Sequence, residues 1–66
     1  MEVRVNGTPR TVADGATVAD LLAVLGMPAS GIAVAVDGEV CPRPWHGRTV
    51  LTPGADVEIL TAVQGG

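Results

Sequence analysis

Few side chains in this 66-residue chain have both the type and the setting for chemistry. The candidates are one thiol, Cys41, one imidazole, His46, a carboxylate pair, Asp56 and Glu58, and the closing run Thr61-Ala62-Val63-Gln64-Gly65-Gly66. The diglycine is the most pointed of these. Gly65 and Gly66 have no Cβ, so a tail that ends in them can thread a narrow channel and adopt backbone angles closed to other residues. A carboxylate on Gly66 would have no side chain shielding its carbonyl from attack. The plain alternative is a frayed end, since domain termini are often disordered and glycine is common in them.

The other candidates read more blandly. A single cysteine excludes an internal disulfide framework, leaves no spacing for a zinc site and fits a reducing compartment. Cys41 reads as a small buried hydrophobe. His46 has no evident Asp, Ser or Cys constellation and is expected on a surface loop. Trp45 is expected to lie as an amphipathic lid over one edge of the core, with a partner anchor as the alternative. Asp56 and Glu58 fit a solvated face, or, beside Leu60 and Ala62, a surface that docks on a basic and apolar groove. Asn6-Gly7 and Asp37-Gly38 are turn pairs and carry no phosphate motif.

Composition narrows the class of function. Apolar residues make up 47% of the chain, yet Phe and Tyr are absent and Trp45 is the one aromatic ring of the Phe, Tyr and Trp type, so platforms for stacking bases are missing. A net charge of -3 argues against nucleic acid or an anionic membrane surface and suits a basic protein partner. All four basic residues are arginines (Arg4, Arg10, Arg43 and Arg48), so lysine-linked chains could not be built on this protein. No apolar run approaches the roughly 20 residues that span a bilayer, and the N-terminus reads as a strand, not a signal segment. The expectation is a cytoplasmic protein of one domain, residues 1–66, with a flexible tail at about 62–66. A domain of this size buries only about 60% of its unfolded surface and has no room for a deep active site.

The elements that must position the tail follow from periodicity. Over residues 1–5, apolar Met1, Val3 and Val5 alternate with Glu2 and Arg4, the period of a half-buried strand. Asn6-Gly7 turns it into a return strand over 8–13, where Pro9 cannot donate to a ladder and belongs at a sheet edge. Thr17 is an N-cap with Asp20 completing a capping box, and Val18, Leu21, Leu22 and Leu25 form one helical stripe that Gly26 and Pro28 terminate. Residues 32–36 read as an interior strand. Asp37-Gly38 then turns into 39–41, which pairs Val34 with Cys41. Pro42 and Pro44 break regular structure, Val50 and Leu51 are expected to return to the core, and Pro53-Gly54 turns into a last strand over 56–63. There Val57, Ile59, Thr61 and Val63 alternate with Glu58, Leu60 and Ala62. The expected core is Val3, Val5, Leu21, Leu22, Leu25, Val34, Val36, Val57 and Ile59. A hairpin, a helix, a hairpin and a long apolar strand are best satisfied when the last strand lies in the middle of the sheet, parallel to the first. This is an α+β, ubiquitin-like β-grasp of about five strands in a mixed sheet, with one main helix on one face.

On these residues the chain resembles the sulfur carrier proteins of thiamine biosynthesis, the ThiS family. The matching pieces are Val5-Asn6-Gly7, Thr17-Val18-Ala19-Asp20-Leu21-Leu22, Val34-Ala35-Val36-Asp37-Gly38-Glu39-Val40, Pro42-Arg43-Pro44-Trp45, Val57-Glu58-Ile59 and Gly65-Gly66. The Trp45 segment and the short length look more like ThiS than like the small subunit of molybdopterin synthase. Two positions depart from the pattern. Gly54-Ala55 precedes Asp56 where the family has Gly-Asp, and Gln64 stands where a third glycine is frequent.

The resemblance implies a protein cosubstrate and not an enzyme. A terminal carboxylate, with a pKa of about 3.5, is ionised at neutral pH and must be activated before it can react. In the family an E1-like adenylating enzyme uses ATP and Mg²⁺ to form an acyl adenylate on the last glycine. Sulfur from a cysteine desulfurase persulfide then gives a thiocarboxylate, which thiazole synthase consumes. By resemblance Gly66 is the site of covalent chemistry, and Gly65, Gln64 and Val63, with Leu60 and Glu58, meet the partners. The chain is expected to bind no cofactor or metal itself. Other readings are a carrier for molybdopterin or cysteine synthesis, a ubiquitin-like protein modifier, and a β-grasp binding module with an incidental diglycine.

Overall fold

The computed structural model describes residues 1–28 and 30–61. In chain order these form β1 (Glu2–Val5), β2 (Thr8–Thr11), α1 (Val18–Val24), β3 (Ile32–Val36), β4 (Glu39–Val40), a 3-10 turn (Arg43–Trp45) and β5 (Asp56–Thr61). The sheet order is β2-β1-β5-β3-β4. β5 pairs parallel with β1, with Val5 opposite Val57, and antiparallel with β3, with Val34 opposite Ile59. Its place in the middle follows from its composition. Val57 and Ile59 are buried on the inner face, and only a strand with neighbours on both sides satisfies its backbone there.

The two hairpins close as their turn pairs require. Asn6 and Asp37 both take φ 50°, and Gly7 and Gly38 follow at 82° and 85°, the paired left-handed conformation whose twist matches that of the flanking strands. Pro9 lies in the edge strand β2, where no further strand needs its missing N–H. The other edge is β4. Its two residues leave little backbone for unwanted pairing.

Helix α1 is capped at both ends by the residues expected. Asp20 N–H donates to Thr17 Oγ1 at 3.2 Å and Thr17 N–H to Asp20 Oδ2 at 2.9 Å, the reciprocal pair of a capping box. Gly26 takes φ 70°, and Met27 N–H reaches back to Leu22 O at 2.9 Å, which closes the last turn. The remaining free donors of the first turn are met by the connection after β4. Val18 N–H donates to Thr49 O at 3.0 Å and Ala19 N–H to His46 O at 2.9 Å. Val18, Leu21 and Leu22 bury their side chains against the sheet residues Val3, Val34 and Val57.

The structure differs from the sequence reading in several places. β2 ends at Thr11, short of Ala13, although Val12 still exchanges both main-chain hydrogen bonds with Met1, at 2.8 and 2.7 Å, and buries its side chain. Val50 is 56% exposed while Leu51 is buried: Val50 forms an isolated antiparallel bridge with Thr17, in which Leu51 N–H bonds to Ala16 O, and alternation about the bridge points Val50 outward. β4 stops at Val40, though Cys41 N–H still donates to Val34 O at 2.7 Å in the expected register. Leu25 and Val36 only flank the core, and Thr61 is exposed where the alternation placed it inside. Val12, Ala16, Val18, Cys41, Leu51 and Ala55 complete the core. Among the described residues no helix is long and apolar enough to cross a membrane.

The capping box gives a stability test with a defined size. Thr17→Ala removes the acceptor of Asp20 N–H and should lower the free energy of unfolding by about 1 kcal/mol. Chemical denaturation should show this as a lower midpoint with an unchanged slope.

Candidate functional site

Two surfaces meet at the end of β5. On the inner face Val57 and Ile59 enter the core, so by the period of two Asp56, Glu58 and Leu60 face outward. The register brings the outward residues of neighbouring strands beside them: Ala35 lies opposite Glu58, Ala33 opposite Leu60, and Val40 opposite Ala35. Leu60 is 66% and Val40 76% exposed. With Ala33 and Ala35 they line a shallow groove that Glu58 flanks. Of the expected partner-facing residues, Leu60 and Glu58 therefore share one sheet face. Val40, Ala33 and Ala35 join them there, a contribution visible in the sequence only once the β3 register was known. Val63, Gln64, Gly65 and Gly66 lie outside the described residues.

Asp56 is held at the start of the strand. Its N–H donates to Asp37 Oδ1 at 2.9 Å, and Asp37 N–H donates to Asp56 O at 2.8 Å. The hairpin aspartate is thus both a turn residue and a brace for β5. At the other end the Asn6 carboxamide bonds to both main-chain groups of Ile59.

The thiol and the imidazole are near each other but form no reactive pair. Cys41 is buried, as expected, and its Sγ lies 3.3 Å from Thr49 Oγ1. Thr49 Oγ1 donates to Trp45 O at 2.9 Å, which leaves the thiol as donor to the hydroxyl. His46 is 5% exposed, which corrects the surface position expected for it. The 3-10 turn after Pro42 folds the imidazole inward, and Nε2 bonds to Cys41 O at 3.0 Å. The ring nitrogen nearest the cysteine is engaged with main chain, so the histidine braces the connection and does not activate the thiol.

Trp45 ends that turn 52% exposed, with the Arg48 guanidinium 5.3 Å from its ring centroid. Its indole flanks a groove over Val36, Cys41 and Thr49. That is the edge position expected of a lid, with half of the ring open. A further hollow between residues 12–16 and the helix carries Asp14, Asp20 and Val24 and none of the expected site residues. Among the described residues no three His, Cys, Asp or Glu side chains come together as a metal-holding group.

The sequence profile of the ThiS family matches residues 3–66 of the chain. A crystal structure of a thiamine biosynthesis protein, ThiS, from Geobacter metallireducens is 35% identical, superimposes with a TM-score of 0.84, and is covered over 100% of both chains. A solution NMR structure of a thiamine biosynthesis protein from the same organism is 36% identical, with a TM-score of 0.82, over 100% of this chain and 88% of the other. No match is found among curated proteins. The match over nearly the whole sequence, with identity above a third and a shared five-stranded fold with one helix, establishes that this chain belongs to the ThiS family, the sulfur carriers of thiamine biosynthesis.

Proposed function

We propose that this protein carries sulfur to thiazole formation as a thiocarboxylate on Gly66. The observation that carries the reading is that the family match runs through Gly66, five residues after the strand at the centre of the sheet ends. In this reading the Gly66 carboxylate attacks the α-phosphorus of ATP held with Mg²⁺ by an E1-like enzyme, and pyrophosphate leaves. The terminal sulfur of a cysteine desulfurase persulfide then attacks the acyl carbon, AMP leaves, and an acyl disulfide forms. A second thiol cleaves the S–S bond, forming a disulfide with the desulfurase cysteine and freeing the thiocarboxylate for thiazole synthase. Activation is required because the free carboxylate is anionic and its carbonyl a poor electrophile.

The chain's part is delivery. Gly65 and Gly66 suit a narrow channel, and Gln64 and Val63 lead into it. The outward face with Leu60, Val40 and Glu58 offers an apolar patch beside an acid, which fits a partner groove of apolar and basic character. The test is intact mass after incubation with ATP, Mg²⁺, the activating enzyme, a desulfurase and a thiol. A gain equal to the replacement of one oxygen by sulfur, confined to the C-terminal peptide, is expected. Stable adducts on protein lysines would favour a modifier instead, and transfer to molybdopterin synthase in place of thiazole synthase would change the pathway.

Three variants separate the parts of this reading. Deleting Gly66 should leave the melting temperature near wild type, because among the described residues the core is closed by side chains from Val3 to Ile59, and should abolish thiocarboxylate formation. The reach of the carboxylate falls by roughly 3.5 Å, where misplacement of about 1 Å already matters. A shortened tail that still accepts sulfur would make the diglycine incidental. Glu58→Lys should slow association with the activating enzyme and weaken its dependence on salt, read by stopped flow at two ionic strengths. Cys41→Val should fold, at a cost below about 1.5 kcal/mol, and still yield thiocarboxylate, since volume is nearly conserved and Thr49 Oγ1, which loses the thiol, keeps its bond to Trp45 O. Loss of sulfur transfer with an intact fold would assign the thiol a role.

A further inference from the structure

β1 runs out before β5 does. Its pairing ends with Val5 opposite Val57, because Asn6 turns at φ 50° into the hairpin. Up to there the ladder advances two residues at a time: Arg4 N–H donates to Ala55 O at 2.8 Å and Asn6 N–H to Val57 O at 2.9 Å. The next rung falls on Ile59, which meets no β1 main chain. The Asn6 side chain fills it. Ile59 N–H donates to Asn6 Oδ1 at 2.8 Å, and Asn6 Nδ2 donates to Ile59 O at 3.1 Å. A carboxamide presents the donor and acceptor of a peptide group, so the side chain stands in for the strand residue that the turn removed.

What it holds is a narrow ribbon. β3 and β5 stay in register beyond this point, through Ala33 opposite Leu60 and Ile32 opposite Thr61, whereas β4 pairs only with Ala35 and Val36. Two strands alone are marginal in water. Among the described residues, the Asn6 carboxamide supplies the hydrogen bonds that tie this end of β5 to the N-terminal hairpin. The chain continues from the ribbon directly into residues 62–66.

We propose that Asn6 is a positioning residue for the diglycine, fixing the direction in which the tail leaves the sheet; this rests on the sulfur-carrier reading. The turn and the clamp can be separated chemically. Glycine accepts the left-handed angles of the turn, so Asn6→Gly preserves the hairpin and removes only the carboxamide. Asn6→Asp keeps an acceptor for Ile59 N–H but loses the donor to Ile59 O.

Two measurements on each variant decide the matter. Amide hydrogen exchange should show protection in Asn6→Gly lost at Ile59 and reduced at Leu60, which pairs with Ala33, with Val3 and Leu21 unchanged. In ATP–pyrophosphate exchange with the activating enzyme, KM for Asn6→Gly should rise about tenfold with kcat within about twofold of wild type, because the loosened ribbon must be re-ordered on binding. Asn6→Asp should fall between the two. Ile59 still protected in Asn6→Gly overturns the clamp, and protection lost with KM unchanged overturns the positioning role. If Val3 also loses protection in Asn6→Gly, Asn6→Asp decides by the same criteria. A wild-type chain that is not adenylated overturns the carrier reading and the delivery role with it, while hydrogen exchange still judges the clamp.

Discussion

The parallel pairing of β5 with β1 is the contact on which the fold depends. Each hairpin is local and could close alone, but neither has a partner for its inner edge until β5 enters between them. Val57 sits where the two ladders cross, opposite Val5 on one side and Val36 on the other, and it has no exposed surface. The inner face it creates is continuous with Val3, Val34 and Ile59, which gives the helix a surface to cover. The same strand separates two roles by its period of two: Val57 and Ile59 serve the core, while Glu58 and Leu60 are left for the outside.

What was legible in the sequence was what neighbouring residues decide. Asn6-Gly7 and Asp37-Gly38 dictate their turns from within, Thr17 and Asp20 cap their own helix, and Gly26 ends it. The sheet order was also readable, because Pro9 demands an edge and the long apolar strand demands a middle. What escaped depends on bends and registers that hydropathy does not state. His46 looked like a surface residue because nothing adjacent explains an inward imidazole; its partner is Cys41 O, presented by a bend around Pro42. Val50 and Leu51 were indistinguishable by hydropathy, and only the bridge to the segment before the helix decides which one is buried.

The candidate site was legible to the same degree. The diglycine lies outside the described residues; the outward Glu58 and Leu60 follow from residue type and alternation. Their apolar neighbours do not. Ala33 and Ala35 reach that face through the β3–β5 register, which no local pattern states, and Val40 joins them only because the hairpin set by Asp37-Gly38 places it opposite Ala35. Asn6 shows the limit most plainly. A turn reading accounts for its backbone and leaves its carboxamide unassigned until β5 is laid beside it.

The helix carries a consequence for the order of events during synthesis. With seven residues it is too short to persist alone in water, and two of its first-turn amides are satisfied by Thr49 O and His46 O, far downstream. Those acceptors emerge from the ribosome after the helix sequence, and β5 emerges later still. The nascent chain therefore has no face on which to rest a helix until β5 has been made. The contacts that close the fold join residues distant in sequence, which slows folding relative to a chain of local contacts. A chain built in this way completes its core only when β5 takes its place between the two hairpins.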